Sequence, residues 1–299
     1  MEHLLASLRA AAEPTRLRLL ALAARGAFCV MEFTEILGQS QPRLSRHLKL
    51  LCDCRLLDRT REGANVWFAL PTGEDGALAR DLVARLPADD PVLEADRRQA
   101  ARVLAERARV ASDSFRHKGA DWDEMRALDL PAQAVEGALL SLIPPGPAGR
   151  LLDIGTGTGR VLELLAPRVR EALGVDASKA MLALARARLS ALEFAHCAVR
   201  RADMYRLPLA DQSFDIVVLQ MVLHHAEDPA GAVLEATRVL VRGGLLLLID
   251  LMEHDRTEVT AKLAHRWAGF SDAAVHEMLT AAGITPRDPV TIAGPLPIR

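Results

Sequence analysis

The sequence predicts an α/β protein in which a winged helix-turn-helix domain precedes a Rossmann-like domain, a mostly parallel sheet with helices on both faces. Two observations carry this prediction: a helix with one basic face followed by a short hairpin near the N-terminus, and a glycine-rich loop directly after an apolar strand. A chain of 299 residues has room for two domains. We expect the first domain at residues 1–86, a linker and a long connecting helix at 87–120, and the second domain at 121–299.

The composition is that of a globular protein and not of a wholly basic nucleic-acid binder. Half of the residues are hydrophobic and the net charge is −2, so any contact with nucleic acid must come from a local patch. The N-terminus lacks the pattern of a signal peptide, and the longest apolar run, Leu245–Ile249, is far shorter than the ~20 residues that span a bilayer. Four cysteines do not make a disulfide framework. We expect a cytoplasmic protein with reduced thiols and no membrane association.

The first domain shows the helices and the hairpin of a winged helix-turn-helix. Pro14 opens a helix that Gly26 ends, and a short helix follows from Val30 to Leu37. Ser40 is placed to cap the next helix, whose buried stripe is Leu44, Leu48 and Leu51. Residues 56–70 predict two strands around a basic hairpin tip, the wing.

The face of the third helix opposite its leucines is polar and basic, and the basic character continues into the wing. Residues 41–61 hold six Lys or Arg residues against Asp53 and Asp58. Those six are Arg43, Arg46, Lys49, Arg55, Arg59 and Arg61. This patch favours DNA binding, although a charge run on its own is also typical of a merely solvated surface.

A long helix and then alternating strands and helices follow. Residues 92–116 contain no Gly or Pro and keep apolar residues at helical spacing, so they predict a helix that connects the domains and is placed to pack against a second copy. The apolar runs read as strands are 150–154, 172–175, 214–219 and 244–250. The helical patterns between and around them are 159–166, 178–190 and 230–241.

The first predicted strand of the second domain leads into a ligand-binding loop. Asp153 ends the strand, and Gly155, Gly157 and Gly159 let the backbone approach a ligand at the start of a helix. Asp176, 17 positions after Gly159, closes the next strand, where a carboxylate can accept the two hydroxyls of a ribose. Asp203 and Met204 precede the following strand. A βα turn without a ligand is the alternative that a glycine pattern alone leaves open.

Residues 150–250 resemble the class I S-adenosylmethionine-dependent methyltransferases of the small-molecule type. The matching stretches are 153–159, 174–176, 202–204 with 207–208, 213–217, and 238–240 with 243–244. An NAD-binding domain would show G-x-G-x-x-G more typically than the G-x-G-x-G found here. The resemblance implies S-adenosylmethionine as the cofactor, with the glycine loop at its methionine portion, Asp176 at its ribose, and Asp203 with Met204 at its adenine. The cofactor-binding residues expected on this basis are Asp153, Gly155, Thr156, Gly157, Gly159, Asp176, Ala177, Asp203, Met204, Gln220 and His225.

No residue of the second domain is singled out as catalytic. Several polar residues are expected around the rim of the pocket, where a base or a hydrogen bond could serve a small-molecule methyl acceptor. They are Gln220, His224, His225 and Asp250, with His254, His265 and Arg266 beyond them. A polar loop above the carboxyl edge of the sheet explains the same residues without catalysis.

Residues 8–70 resemble the ArsR/SmtB family of dimeric winged-helix repressors, and the resemblance to bacterial proteins that fuse the two domains spans nearly the whole chain. The matching stretches are 14–20, 40–42, 44–51 and 61–63. The resemblance implies a homodimer that binds double-stranded operator DNA. The DNA-binding residues expected are Gln41, Arg43, Ser45, Arg46, Lys49, Arg59 and Arg61. Arg55 departs from the family, which usually has Gly at this position.

The metal site of many ArsR/SmtB relatives is not expected in this chain. Those relatives use two cysteines on the helix before the recognition helix, and this chain has Cys29 and Met31, a poor pair of ligands for zinc or arsenite. We therefore expect no metal, and two functions stay open. The chain is either a transcriptional regulator whose methyltransferase domain senses its cofactor or transfers a methyl group, or a small-molecule methyltransferase with an accessory DNA-binding domain.

Overall fold

In the computed structural model, the described residues are 2–62, 65–71, 74–117, 130–143, 146, 148–192, 194, 196–263, 265–294 and 296–298. The chain divides into two compact units. One consists of Met1–Ala111 with Ala183–Ala198, and the other of Ser112–Leu182 with Val199–Arg299. Among the described residues, no helix is long and apolar enough to cross a membrane.

The first unit contains the predicted winged helix-turn-helix. Its helices are α1 (Glu2–Ala11), α2 (Pro14–Ala23), α3 (Val30–Leu37), α4 (Gln41–Asp53), α5 (Ala77–Ala84) and most of α6 (Pro91–His117). Its strands are β1 (Phe28–Cys29), β2 (Asp58–Glu62) and β3 (Asn65–Ala69). The strands pair antiparallel in the order β1-β3-β2, so that β2 and β3 form the wing. Residues 63 and 64, at the predicted tip, lie outside the described residues.

The core of this unit follows the leucine stripe that the sequence predicts for α4. Leu44, Leu48 and Leu51 are fully buried, together with Phe28 and Phe33. Burial of such side chains stabilises the fold by roughly 1.5–3 kcal/mol each. The opposite face of α4 is left to solvent.

Helix α6 is also part of this unit, through two partly buried ion pairs. The carboxylate of Asp96 accepts two hydrogen bonds from the Arg18 guanidinium, both at 2.7 Å. The Arg107 guanidinium donates to Glu32 at 2.6 and 2.9 Å and lies 4.8 Å from the centre of the Trp67 ring. Removing one partner of such a pair leaves an uncompensated buried charge, so these pairs fix the position of α6 on the winged helix.

The second unit is built around a parallel sheet. Its strands are β4 (Ala148–Ile154), β5 (Val169–Asp176), β6 (Cys197–Arg201), β7 (Phe214–Gln220) and β8 (Leu240–Ile249). The helices along this part of the chain are α7 (Ala132–Leu142), α8 (Arg160–Leu165), α9 (Lys179–Ala191), α10 (Pro229–Val239), α11 (Thr257–Leu263) and α12 (Asp272–Ala281).

In the described part of the chain the strand order is β6-β5-β4-β7-β8, which makes β4 the central strand. β4 pairs in parallel with both β5 and β7, and β7 pairs in parallel with β8. The predicted α/β class and the mostly parallel Rossmann-like sheet are therefore confirmed. The sequence prediction missed β6, whose short run Cys197–Arg201 contains two arginines and has no strong apolar signal.

Arg55, at a position where glycine is expected from the resemblance described above, adopts a left-handed backbone conformation. It follows α4 with a φ of 55°, in the left-handed region, where a side chain costs roughly 1–2 kcal/mol. In this conformation the amide of Leu56 donates to the carbonyl of Leu51, which closes the end of the helix. The chain therefore makes the turn before the wing with a strained residue.

We expect Arg55→Gly to stabilise the protein by up to about 1 kcal/mol, because relief of the left-handed strain exceeds the entropy that glycine adds to the unfolded chain. Arg55→Ala is the matched control, since it removes the same side chain and keeps the strain. Thermal unfolding of both variants checks the prediction. A gain in melting temperature for Arg55→Ala as large as that for Arg55→Gly would show that the side chain, and not the backbone, is the source.

Candidate functional site

The loop after the central strand β4 is built from left-handed glycines. Gly155, Gly157 and Gly159 have φ values of 74°, 54° and 79°. A Cβ on Gly155 would lie 2.3 Å from a methyl of Val222, so this glycine is also required by packing. A Cβ on Gly157 would meet only the carbonyl oxygen of Gly155, at 3.9 Å, so the backbone at Gly157 borders open space among the described residues. This is the part of the loop that a ligand can approach closely.

Asp176, at the end of β5, holds this loop in place. One oxygen of its carboxylate accepts a hydrogen bond from the Gly157 amide at 2.9 Å, and the other accepts from the Ser178 amide at 2.7 Å. Burial raises the pKa of Asp176, and these backbone hydrogen bonds oppose the rise. Each carboxylate oxygen keeps a second acceptor position, so the side chain can brace the loop and still accept a hydroxyl.

Asp153, at the carboxyl end of β4, is a buried carboxylate whose hydrogen bonding is incomplete. Its exposed fraction is 1%, and its Oδ2 has no hydrogen-bond partner among the described residues. Burial raises its pKa to about 7, the charge of Asp176 adds to the rise, and the nearby Thr156 hydroxyl offsets part of it. The buried carboxylate of Asp153 thus has hydrogen-bonding capacity that the described residues leave unused.

The residues expected at an adenine lie beside Asp176. The amide of Ala202 donates to the backbone carbonyl of Asp176 at 3.2 Å, which brings the segment after β6 next to the end of β5. Met204 is half-buried there, while Asp203 is exposed and accepts from the Tyr205 amide at 3.0 Å. Ala177, directly after Asp176, is exposed.

Gln220 lies on the other side of the glycine loop, at the end of β7. Leu219 pairs with Ile154, the last residue of β4, so the two strands end together. The chain then turns sharply at Met221, which has a φ of 55°. Gln220 is half-buried. The ends of β5 and β7 therefore flank the loop with Asp176 and Gln220.

Three histidines come together beyond Gln220. The ring centre of His224 lies 4.3 Å from that of His225 and 4.3 Å from that of His265, and the other two ring centres are 5.1 Å apart. His224 and His265 are buried, and His225 is exposed. The sequence analysis placed His224 and His225 at the rim and His265 beyond it, and did not show that the three form one cluster.

Asp250 positions this cluster. One oxygen of its buried carboxylate accepts from Nδ1 of His224 at 2.6 Å and from the Leu251 amide at 2.8 Å. The other oxygen accepts from the Leu223 amide at 2.9 Å. His265 is brought to His224 because the amides of Arg266 and Trp267 both donate to the His224 carbonyl, at 2.9 and 3.1 Å.

The residues expected to contact DNA all lie on the surface of the first unit. Gln41, Arg43, Ser45, Arg46 and Lys49 are exposed on α4, on the face opposite its buried leucines. Arg59 and Arg61 are exposed on β2, the first strand of the wing. The helix and the wing thus present the predicted basic patch to solvent.

Two family models match the chain. The bacterial regulatory protein, arsR family, matches residues 13–59, and the methyltransferase domain matches residues 152–248. These matches confirm the predicted fusion of an ArsR-type helix-turn-helix with a class I S-adenosylmethionine-dependent methyltransferase domain. They also support S-adenosylmethionine as the cofactor of the second domain.

Curated relatives match the methyltransferase part. Trans-aconitate 2-methyltransferase of Methylobacterium nodulans is 34% identical over 170 residues, which cover 56% of this chain and 63% of the relative. Malonyl-[acyl-carrier protein] O-methyltransferase of a Marinomonas strain is 32% identical over 144 residues, covering 47% and 51%. The methyltransferase YcgJ of Bacillus subtilis is 37% identical over 101 residues, covering 34% and 40%. The chain thus spans about half the length of the curated relatives it matches.

The residues present around the loop fit such a cofactor. S-adenosylmethionine carries an ammonium group and a sulfonium, and the partnerless oxygen of Asp153 is a buried acceptor suited to a cationic donor. The open backbone at Gly157 leaves room for the ligand beside Asp176. Both features belong to this chain's own geometry and are independent of any relative.

Proposed function

We propose that this chain is a cytoplasmic, homodimeric transcriptional regulator that binds double-stranded operator DNA and carries S-adenosylmethionine in its second domain. The single observation behind this proposal is a glycine loop braced by Asp176, beside the incompletely bonded Asp153, in the same chain as an exposed basic helix α4. The arsR match at residues 13–59 supports the DNA-binding part. The boundaries 1–86, 87–120 and 121–299 are part of this proposal.

In this proposal each residue expected at the two binding sites has a role. The cofactor is held by Asp153, Gly155, Thr156, Gly157, Gly159, Asp176, Ala177, Asp203, Met204, Gln220 and His225. The DNA is contacted by Gln41, Arg43, Ser45 and Arg46 at base edges and by Lys49, Arg59 and Arg61 at phosphates. Because a ligand shifts an equilibrium only when its affinity differs between the two states, sensing requires unequal cofactor affinity with and without DNA.

A second function is supported by the polar rim at the ends of β7 and β8. When S-adenosylmethionine is bound it supplies an electrophilic methyl group, and the acceptor must lose a proton as it becomes methylated. His225 is exposed at this rim and is placed to take up such a proton. The relatives named above include methyltransferases acting on small molecules or carrier-bound acyl groups. The chain would then be a methyltransferase with an accessory DNA-binding domain.

Asp176→Ala should weaken binding of S-adenosylmethionine about tenfold or more, because the substitution removes the ribose acceptor and the brace on the Gly157 amide. Calorimetry with S-adenosylmethionine and S-adenosylhomocysteine measures the effect. Asp288→Ala, at an exposed carboxylate of the same unit, is the control and should bind normally. An Asp176→Ala protein that is folded and keeps full affinity would rule out the ribose assignment.

Arg43→Ala should relax the preference for particular DNA sequences, because α4 is proposed to contact base edges. Arg61→Ala should weaken binding to all DNA sequences and lower the slope of log affinity against log salt concentration by about 1. Selection from random duplexes followed by binding titrations at several salt concentrations measures both effects. Arg287→Ala, at an exposed arginine of the second unit, is the control. The expected site has two half-sites about 34–36 Å apart. A monomer in sedimentation that protects one half-site contradicts the dimer.

Coupling between cofactor and operator distinguishes the two functions. Typical coupling is about 1–3 kcal/mol, so S-adenosylmethionine or S-adenosylhomocysteine should change operator affinity by roughly 5–150-fold. By reciprocity, operator DNA should change cofactor affinity by the same factor, and Asp176→Ala should abolish the response. If neither ligand alters operator affinity while a small acceptor is methylated, the sensor function is wrong and the second function holds.

A further inference from the structure

We propose that His224, His225 and His265 form a binding site for a divalent transition-metal ion of the zinc class, with one coordination position left open. Each histidine offers one ring nitrogen, and these three nitrogens all lie within 4.8 Å of one another. Imidazole nitrogen is a preferred ligand of zinc, cobalt and nickel ions. The site lies beyond the glycine loop and shares His225 with the proposed cofactor-binding set.

The geometry of the rings is compatible with a shared ion. The planes of His224 and His225 are inclined at 46°, those of His224 and His265 at 53°, and those of His225 and His265 at 89°. Rings inclined in this way do not lie flat on one another. A zinc ion with ligands at about 2.0–2.1 Å in a tetrahedron places neighbouring nitrogens about 3.4 Å apart. The widest pair of nitrogens, at most 4.8 Å apart, therefore needs to close by up to about 1.4 Å.

Asp250 gives the cluster the support that metal-binding histidines generally have. A histidine ligand commonly donates its other ring nitrogen to a carboxylate, which fixes its tautomer and makes it a better ligand. The Asp250 carboxylate takes Nδ1 of His224 in this way, at 2.6 Å, and directs Nε2 to be the ligand atom. The hydrogen bonds from the Leu223 and Leu251 amides fix the orientation of the Asp250 carboxylate.

One divalent ion can be bound by all three imidazole rings at once. Three protein ligands and an open position are the arrangement of zinc sites that bind water or an oxygen ligand. The exposed side of His225 is where that fourth ligand would enter.

Cobalt provides a direct test with the full-length protein. After treatment with a chelator, titration with Co²⁺ should give visible absorption from a single bound ion per chain, and Zn²⁺ should displace it. Sulfur-to-cobalt charge-transfer bands should be absent. Burial raises the pKa of Cys52 to about 11 and that of Cys197 to about 12, so these thiols remain protonated near neutral pH and compete poorly.

Two variants locate the ion. His225→Ala should lower cobalt affinity at least tenfold, because it removes one of three ligands while changing an exposed residue that the fold tolerates. His276→Ala, at an exposed histidine on α12, is the control and should bind cobalt normally. Asp250→Asn should lower the affinity by roughly 10–100-fold.

Three results would contradict the proposed metal site. They are no cobalt binding by the unsubstituted protein, equal cobalt affinity of the His225→Ala and unsubstituted proteins, or a cobalt spectrum with sulfur-to-cobalt charge-transfer bands. Cofactor affinity is measured on the same samples. Asp176→Ala separates the two proposals, because it should lose cofactor affinity and still bind cobalt normally.

Discussion

The carboxyl ends of β4, β5, β7 and β8 meet at one edge of a parallel sheet, and the chemistry of the second unit depends on this constraint. The glycine loop follows β4, Asp176 ends β5, Gln220 ends β7, and Asp250 directly follows β8. Residues from four separate stretches of the chain are thereby collected within one region. Buried apolar side chains on the strands stabilise the sheet. The polar groups at its carboxyl edge can therefore serve in ligand binding rather than in stability.

The parts of this edge that could be predicted from sequence are those with a local pattern. The three glycines and Asp176 are recognisable because a strand, a turn and a second strand follow one another at short spacing. The histidine cluster has no such pattern. His265 reaches His224 only because the backbone amides of Arg266 and Trp267 bind the His224 carbonyl, a contact between distant parts of the chain. These residues are recognisable as polar from the sequence, but their proximity in the fold could not be predicted from it.

In the first unit too, the stabilising contacts that could be predicted from the sequence are those with a local pattern. The leucine stripe of α4 is visible as a periodicity, and the structure confirms it. The pairing of Arg18 with Asp96 is not visible, because an acidic residue in a long helix ordinarily faces solvent. Arg55 shows an intermediate case, since the departure from the family's glycine was noticeable in the sequence, but its cost follows only from the observed φ of 55°.

Asp250 links the two candidate sites of the second unit through a short piece of backbone. One of its oxygens fixes His224, and the other holds the amide of Leu223, three residues after Gln220. Movement of His224 toward an ion would therefore pull on a carboxylate that also anchors the turn after β7. Val222 lies in that same turn. It packs so closely against Gly155 that a Cβ at position 155 would not fit. A change at the histidines would thus reach the glycine loop through the segment 220–225, because a tightly packed contact transmits a displacement that a loose contact would absorb.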